Sequence, residues 1–416
     1  MSVLDNGLTV VTSPMPQARS VGVAFLVGTG SCFESDEEAG ISHFIEHLLF
    51  KGTTKRPTSM DISAQIEGIG GMLNASTSRE ETIYWAKVTR AHMSPAIDVL
   101  FDMTANSLFD SKEIEKERQV IIEEINMSLD IPQQRAVMLI DSLLWPGQPL
   151  GIDIAGTKES VSAISRSDMM SYMSLRYRTG EMVVCIAGNV DHGSVCDEIR
   201  SRSDIFRPGD AGVGYKTDDG QSNARVGIDH RDGEQEHICV AMHGVSRTDE
   251  RRFAVDMLNV VLGGGMSSRL FTEIREKRGL AYDIHSYAEH YNDVGALVVY
   301  AGVDTAKTGE CVRAVVEELS KMREPVGDEE LSRAKELMKG RLELRLEDTQ
   351  NTSLWHGVQQ LLNGEILSPE EVCGRIDAVT ADDIAAVARE LLAAEKLNLA
   401  AVGPVKDGLG SDLLDM

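Results

Sequence analysis

The sequence has 416 residues and a formal net charge of −25, with 42% apolar and 26% charged residues. This length and composition are typical of a globular protein with two domains. The excess of negative charge works against nucleic-acid binding, because affinity for phosphates comes from Lys and Arg.

The start of the chain, MSVLDNGLTVV, lacks the basic residues and the apolar run of a signal peptide. No apolar run reaches the roughly 18 residues that a membrane-spanning helix needs. The six cysteines form no CxxC pair. We therefore predict a cytoplasmic protein with reduced thiols and no membrane partner.

Three short β-branched or apolar runs predict strands over residues 20–28, 82–88 and 182–188. Apolar residues at helical spacing predict a helix over residues 94–109. Strands and helices are mixed unevenly along the chain. This pattern predicts an α+β fold rather than a regular alternation of strand and helix.

The chain reads as one unit written twice. The segments HFIEHLLFKG (43–52) and AVDMLNVVLG (254–263) both run into glycine, at an offset of 211 residues. Near the end of each half the offset is 215, between Gly188 and Gly403. A slowly drifting offset is typical of a duplicated domain with small insertions.

The two halves meet in RPGDAGVGYKTDDGQSN, which is rich in Gly, Asp and Ser and has no apolar period. We predict an N-terminal domain over residues 1–205, a linker over 206–228 and a C-terminal domain over 229–416. On this division, we expect the isolated first half to fold.

The pentapeptide His43-Phe44-Ile45-Glu46-His47 is the most informative motif. Residues four apart on a helix lie on one face, so His43 and His47 can reach one zinc ion. Glu46 lies on the same side and can act on a water molecule there. This inverted order of the zinc-protease helix is a known metallopeptidase motif. A helix with two core histidines and a surface glutamate would have the same sequence without binding a metal.

A zinc site with three protein ligands needs one more donor. The segment EIEKERQVIIEEINM (113–127) predicts an amphipathic helix rich in glutamate. Glu117 and Glu124 are seven residues apart and share a face of that helix. The residue pattern alone does not choose between Glu123 and Glu124 as the third ligand.

Three segments together resemble a known family: HFIEHLLFKGT, GGMLNASTSREETIYWAKV and ERQVIIEEI. They are similar to the pitrilysin family of zinc metallopeptidases, above all to the β subunit of mitochondrial processing peptidase and its single-chain bacterial relatives. The resemblance implies two tandem homologous α/β-sandwich domains of the pitrilysin type and one zinc ion per chain. It also implies Glu124 as the third ligand and Glu117 as a supporting residue.

The resemblance assigns two further sets of residues. It implies that the segment Asn74, Ala75, Ser76 and Thr77 is an edge strand to which a peptide substrate adds as an extra strand.

In the second half, it implies that Arg275 and Tyr282 reach the active site and donate hydrogen bonds to the substrate carbonyl. At the repeat offset, Ala254, Met257 and Leu258 replace the two histidines and Glu46. We therefore expect no second zinc.

The implied function is a zinc-dependent endopeptidase that hydrolyses peptides or unfolded segments, with Glu46 as general base. In the processing peptidase, acidic residues ten and fourteen positions after the third ligand select arginine, but here those positions are Gln134 and Met138. Generic peptide cleavage is therefore expected. The chain is half of the family's four-domain chamber, which implies a homodimer.

Two alternatives stay open at this point. One is a non-catalytic subunit, like the core proteins of respiratory complexes that share this fold. The other is a partner-dependent subunit whose Arg275 and Tyr282 act on the site of another chain.

Overall fold

A computed structural model describes residues 1–212, 214, 216–405 and 409–414. Strands and helices mix unevenly, as expected for an α+β protein. The strands are β1 (Ser2–Val3), β2 (Thr9–Pro14), β3 (Ser20–Val27), β4 (Met72–Thr77), β5 (Thr82–Thr89), β6 (Met182–Gly188), β7 (Arg225–His230), β8 (Gln235–Gly244), β9 (Ala281–His290), β10 (Gly295–Asp304) and β11 (Asn398–Gly403).

The helices are α1 (Ile41–Leu49), α2 (Ser59–Glu67), α3 (Met93–Asn106), α4 (Ser111–Asp130), α5 (Pro132–Leu144), α6 (Lys158–Ala163), α7 (Arg166–Arg176), α8 (His192–Ser203), α9 (Arg252–Gly263), α10 (Thr308–Lys321), α11 (Asp328–Leu346), α12 (Thr349–Asn363), α13 (Pro369–Ala378) and α14 (Ala381–Leu391). A π-helical segment, Phe271–Lys277, lies between α9 and β9. Helix α3 is shorter than expected, because Ser107 adopts an extended conformation and forms a β-bridge with Thr53.

The chain divides into two compact units. The first unit contains Met1–Ile125, Asp153–Tyr215 and Glu343–Leu367, and the second contains Asn126–Ile152, Lys216–Leu342 and Ser368–Met416. Each unit thus includes a helix from the other half of the sequence. Strand β7 also occupies residues 225–228, which we had placed in the linker. The boundaries from the sequence analysis stay a prediction.

The first unit is built on a six-stranded sheet with the order β1-β2-β6-β3-β5-β4. Strand β3 is central and buried along almost its whole length, which explains its continuous apolar sequence. Helices α3 and α8 pack on strands of this sheet, and so does α12. Strand β4 pairs with β5 alone and forms an edge.

Helix α12 covers an apolar patch of the first sheet. Side chains of this helix and of the loop after it pack on buried residues of four strands: Val11, Ala24, Leu26, Ile83, Val183 and Cys185. Gly22 on β3 allows the close approach, since a Cβ there would lie 2.5 Å from the carbonyl oxygen of Thr349. The first unit therefore depends on residues that lie far along the chain.

The second unit repeats this plan. Its sheet has the order β7-β11-β8-β10-β9, and helix α5 packs on β8 and β11. Leaving out β1, the two sheets share strand order, and in each the first two strands are parallel while the others are antiparallel. The pair Thr77–Thr82 corresponds to His290–Gly295 at an offset of 213 residues. The duplication expected from the sequence is therefore present in the sheets.

No helix in the described residues is both long and apolar enough to cross a membrane.

Candidate metal centre

Helix α1 carries the pentapeptide, and its start is fixed by buried polar contacts. The Glu34 carboxylate accepts hydrogen bonds from the backbone N–H groups of Gly40, at 2.7 Å, and Ser42, at 2.8 Å. These bonds satisfy N–H groups that a helix start leaves unpaired. Gly40 has φ +92° and packs against the carbonyl of Ala155, where a side chain would clash. The contacts leave the first turn of α1 little freedom.

The ends of three side chains converge on the face of α1. The Nε2 atoms of His43 and His47 lie 3.9 Å and 3.6 Å from Oε2 of Glu124 on α4. One donor atom from each of the three residues lies within 4.8 Å of the other two. Glu123, the other carboxylate that the sequence left open, is exposed and not part of this cluster. The structure therefore groups Glu124 with the histidines.

The donor set fits zinc. Two imidazoles and one carboxylate are typical of catalytic zinc sites, which keep one position open. Zinc–ligand bonds of about 2.0–2.2 Å in a tetrahedron place donors roughly 3.3–3.6 Å apart. The distances to Glu124, 3.6 and 3.9 Å, come close to this spacing. These two distances would need only a small contraction to match the spacing of donors around zinc.

Burial keeps His43 in the form that a metal requires. Desolvation, and secondarily the neighbouring His47, lowers the pKa of His43 to about 4. A neutral imidazole offers a nitrogen lone pair, whereas the protonated ring offers none. The rings of His43 and His47 lie 4.6 Å apart, nearly perpendicular to each other.

Glu117 lies behind His47 rather than in the cluster. Its Oε2 is 3.3 Å from His47 Nδ1, and its Oε1 is 2.8 Å from Lys51 Nζ. The Glu117 side chain is 3% exposed. A carboxylate on the far nitrogen of a metal-binding histidine fixes the ring and its tautomer. The role of Glu117 as a supporting residue stays a prediction.

Glu46 lies beside the cluster without joining it. Its Oε2 accepts a hydrogen bond of 2.5 Å from the hydroxyl of Thr77. Burial raises the pKa of Glu46, while the Thr77 hydrogen bond and the charge of His47 oppose the rise. A carboxylate with a raised pKa is a better proton acceptor at neutral pH.

The segment of Asn74, Ala75, Ser76 and Thr77 forms most of strand β4. This strand is an edge of the first sheet, as expected, and its side chains alternate between exposed and half-buried. The backbone groups on its free side can pair with an added strand. Its use by substrate stays a prediction.

Arg275 and Tyr282 contact each other in the second unit. The Arg275 guanidinium lies 4.7 Å from the ring centre of Tyr282 and 4.7 Å from that of Phe271. The Tyr282 side chain is highly exposed. Their part in catalysis stays a prediction.

The sequence analysis missed two contacts of this centre. Lys51 was unnoticed because it lies just beyond the end of α1, where the helical spacing that groups His43 with His47 no longer applies. The hydrogen bond between Thr77 and Glu46 joins elements 31 residues apart, and no local pattern reveals it.

Comparison with known proteins finds two matching family domains along the chain. The family described as insulinase (peptidase family M16) matches residues 9–158, and the domain described as peptidase M16 inactive domain matches residues 163–338. A protein from Streptomyces coelicolor named an uncharacterized zinc protease is 37% identical over 100% of this chain and 91% of its own length. One with the same description from Rickettsia felis is 35% identical over 97% of each chain.

Solved structures share the fold. A protease from Helicobacter pylori has a TM-score of 0.89 at 23% identity, covering 97% of this chain and 98% of its own. A chain from complex III2 of Candida albicans has a TM-score of 0.87 at 20% identity, covering 100% of this chain and 99% of its own. The sequence matches to two M16 domains, and to proteins named zinc proteases along the full chain, show that this protein belongs to peptidase family M16, the insulinase or pitrilysin family.

Proposed function

We propose that the protein is a zinc-dependent endopeptidase that hydrolyses peptides or unfolded polypeptide segments. The proposal rests above all on one observation, the convergence of His43, His47 and Glu124 with Glu46 beside them but outside the donor set. In this arrangement the three donors would hold one zinc ion per chain. When bound, the ion supplies Lewis acidity toward the peptide carbonyl and toward water.

Glu46 serves as the general base in this proposal. Its carboxylate takes a proton from the attacking water and then donates that proton to the leaving amine. The Thr77 hydroxyl would hold this carboxylate in place through its Oε2 atom. The raised pKa that burial gives Glu46 suits a group that both accepts and returns a proton.

Substrate would bind as an added strand along β4. Backbone hydrogen bonds give such binding affinity with little demand on sequence. The strand ends at Thr77, which contacts Glu46, so an added peptide would pass next to the base. Gln134 and Met138 supply no carboxylate for selecting arginine, and we propose broad cleavage rather than presequence processing.

Arg275 and Tyr282 would donate hydrogen bonds to the carbonyl oxygen as negative charge develops on it. We propose further that two chains form a homodimeric chamber in the cytoplasm.

A non-catalytic role is the competing reading, since a chain from complex III2 of Candida albicans shares the fold. The complete set of donors and the adjacent Glu46 favour the peptidase. Mass spectrometry of a peptide library digested by the purified protein tests the choice. Cleavage that a chelator stops is expected, and an intact library in the presence of zinc would contradict the proposal.

A further inference from the structure

We propose that Lys51 is a positioning residue for the metal centre, which acts through Glu117 to set the affinity of the site for zinc. This inference rests on the proposed zinc site and assigns to Lys51 a part that the motif does not include. Lys51 touches neither the three donors nor Glu46, so its effect must pass through another side chain.

The contacts form one line from Lys51 to the centre. The Lys51 ammonium donates to Glu117 Oε1 at 2.8 Å, and Glu117 Oε2 lies 3.3 Å from His47 Nδ1. On the other side of the ring, His47 Nε2 lies 3.6 Å from Glu124. The two oxygens of Glu117 are thus divided between Lys51 and His47. Fixing one oxygen fixes the other.

Burial makes this arrangement depend on Lys51. The Glu117 side chain is 3% exposed and the Lys51 side chain 26% exposed. A buried carboxylate without a partner is strongly destabilised, because water no longer solvates its charge. The ammonium offsets that cost and holds the carboxylate where His47 Nδ1–H can donate to it. Nε2 is then the atom that carries the lone pair toward the metal.

The two histidines differ in this respect. His43 Nδ1 is buried and has no hydrogen-bond partner among the described residues. His47 is therefore the histidine whose ring is oriented by a carboxylate on its far nitrogen. His43 has no such carboxylate, so it cannot compensate if His47 loses this support. A backbone hydrogen bond also holds Lys51 next to the end of α1, since its N–H donates to the Leu48 carbonyl at 3.0 Å.

The test is the zinc affinity of full-length variants, measured by competition with a chromogenic chelator. Lys51→Met should weaken zinc binding by about 10- to 100-fold, the usual effect of losing an outer partner of a metal ligand. Lys51→Arg should restore most of the affinity, because the guanidinium can also pair with Glu117. Lys55→Met is the matched control: Lys55 lies four residues further on and pairs with Asp98, which has no contact with His47. Its zinc affinity should equal that of the wild type.

A second variant separates positioning from general stability. If Lys51 acts through Glu117, then adding Lys51→Met to Glu117→Gln should weaken zinc binding no further than Glu117→Gln alone. The melting temperature of each metal-free protein is measured alongside. Wild-type zinc affinity in Lys51→Met, with or without a lower melting temperature, would overturn the inference, and so would additive losses in the double variant. A wild-type protein that binds no zinc would instead overturn the metal centre itself.

Discussion

The Thr77 hydroxyl donates a hydrogen bond of 2.5 Å to the Glu46 carboxylate and so joins the end of strand β4 to helix α1. One residue thereby connects the strand proposed to bind substrate with the proposed general base. The contact fixes where the carboxylate stands relative to the free edge of the sheet. It also opposes the rise in the pKa of Glu46 that burial causes.

Thr77→Val should lower turnover and leave zinc content unchanged. The substitution keeps the shape of the side chain and removes one hydrogen bond to a charged group, worth about 1.5–3 kcal/mol. We expect kcat to fall by roughly 10- to 150-fold. Thr89→Val, the same substitution at the exposed end of β5, is the control and should behave as the wild type. Normal turnover in Thr77→Val would show that Glu46 needs no help from this hydroxyl.

Metal analysis should find about one zinc ion per chain, and a chelator should abolish peptidase activity. His47→Ala and Glu124→Ala should each lose the metal, since each removes one of three donors. Glu123→Ala, one residue away on α4 and exposed, should keep it. Two tightly held zinc ions per chain, or loss of zinc in Glu123→Ala alone, would contradict the assignment.

Tyr282→Phe should reduce turnover without changing zinc content. If the hydroxyl stabilises the developing oxyanion, its loss typically costs about 2.7–4 kcal/mol, or roughly a hundred- to thousandfold in kcat. Tyr287→Phe on the same strand serves as the control. Arg275→Ala should fall in the same range. Steady-state kinetics on zinc-loaded proteins decide the matter, and full activity in both Tyr282→Phe and Arg275→Ala would remove these two residues from the mechanism.

The structure changes our expectation for the isolated first half. A fragment of residues 1–205 lacks helix α12. The apolar patch of the first sheet that this helix covers would then be exposed to water. Such a patch favours aggregation. We now expect this fragment to be poorly soluble, and a fragment with residues 343–367 joined through a flexible linker to be monomeric and folded. Light scattering and circular dichroism test this expectation. A stable, folded monomer of residues 1–205 alone would contradict it.

Much of the fold follows from local sequence. The apolar runs that we interpreted as strands correspond to β3, β5 and β6, although β3 ends one residue earlier, at Val27. The slowly drifting offset of the repeat appears again in the matched sheets. Hydrophobic periodicity and turn residues are local features, so they can be recognised in a single sequence. The spacing of His43 and His47 likewise placed both on one face of α1.

The parts that the sequence did not reveal depend on contacts between distant segments. Helix α12 packs on β3 although the two elements are more than 300 residues apart in the sequence. The hydrogen bond between Ser20 and Thr349 is one contact between them. The periodicity of a helix does not show which sheet it covers. The choice of Glu124 over Glu123 likewise needed the resemblance. The two carboxylates are adjacent in sequence, and only the orientation of α4 relative to α1 determines which of them faces the histidines.

The central claim is that Glu46 moves the proton while other residues hold the metal. The most direct test is the rate of peptide hydrolysis by zinc-loaded Glu46→Gln, with zinc content measured on the same sample. The amide keeps the size of the side chain and can still accept the Thr77 hydrogen bond, but it cannot take a proton from water. We predict wild-type zinc content and peptide binding with turnover close to background. Near wild-type hydrolysis by this variant would contradict the account.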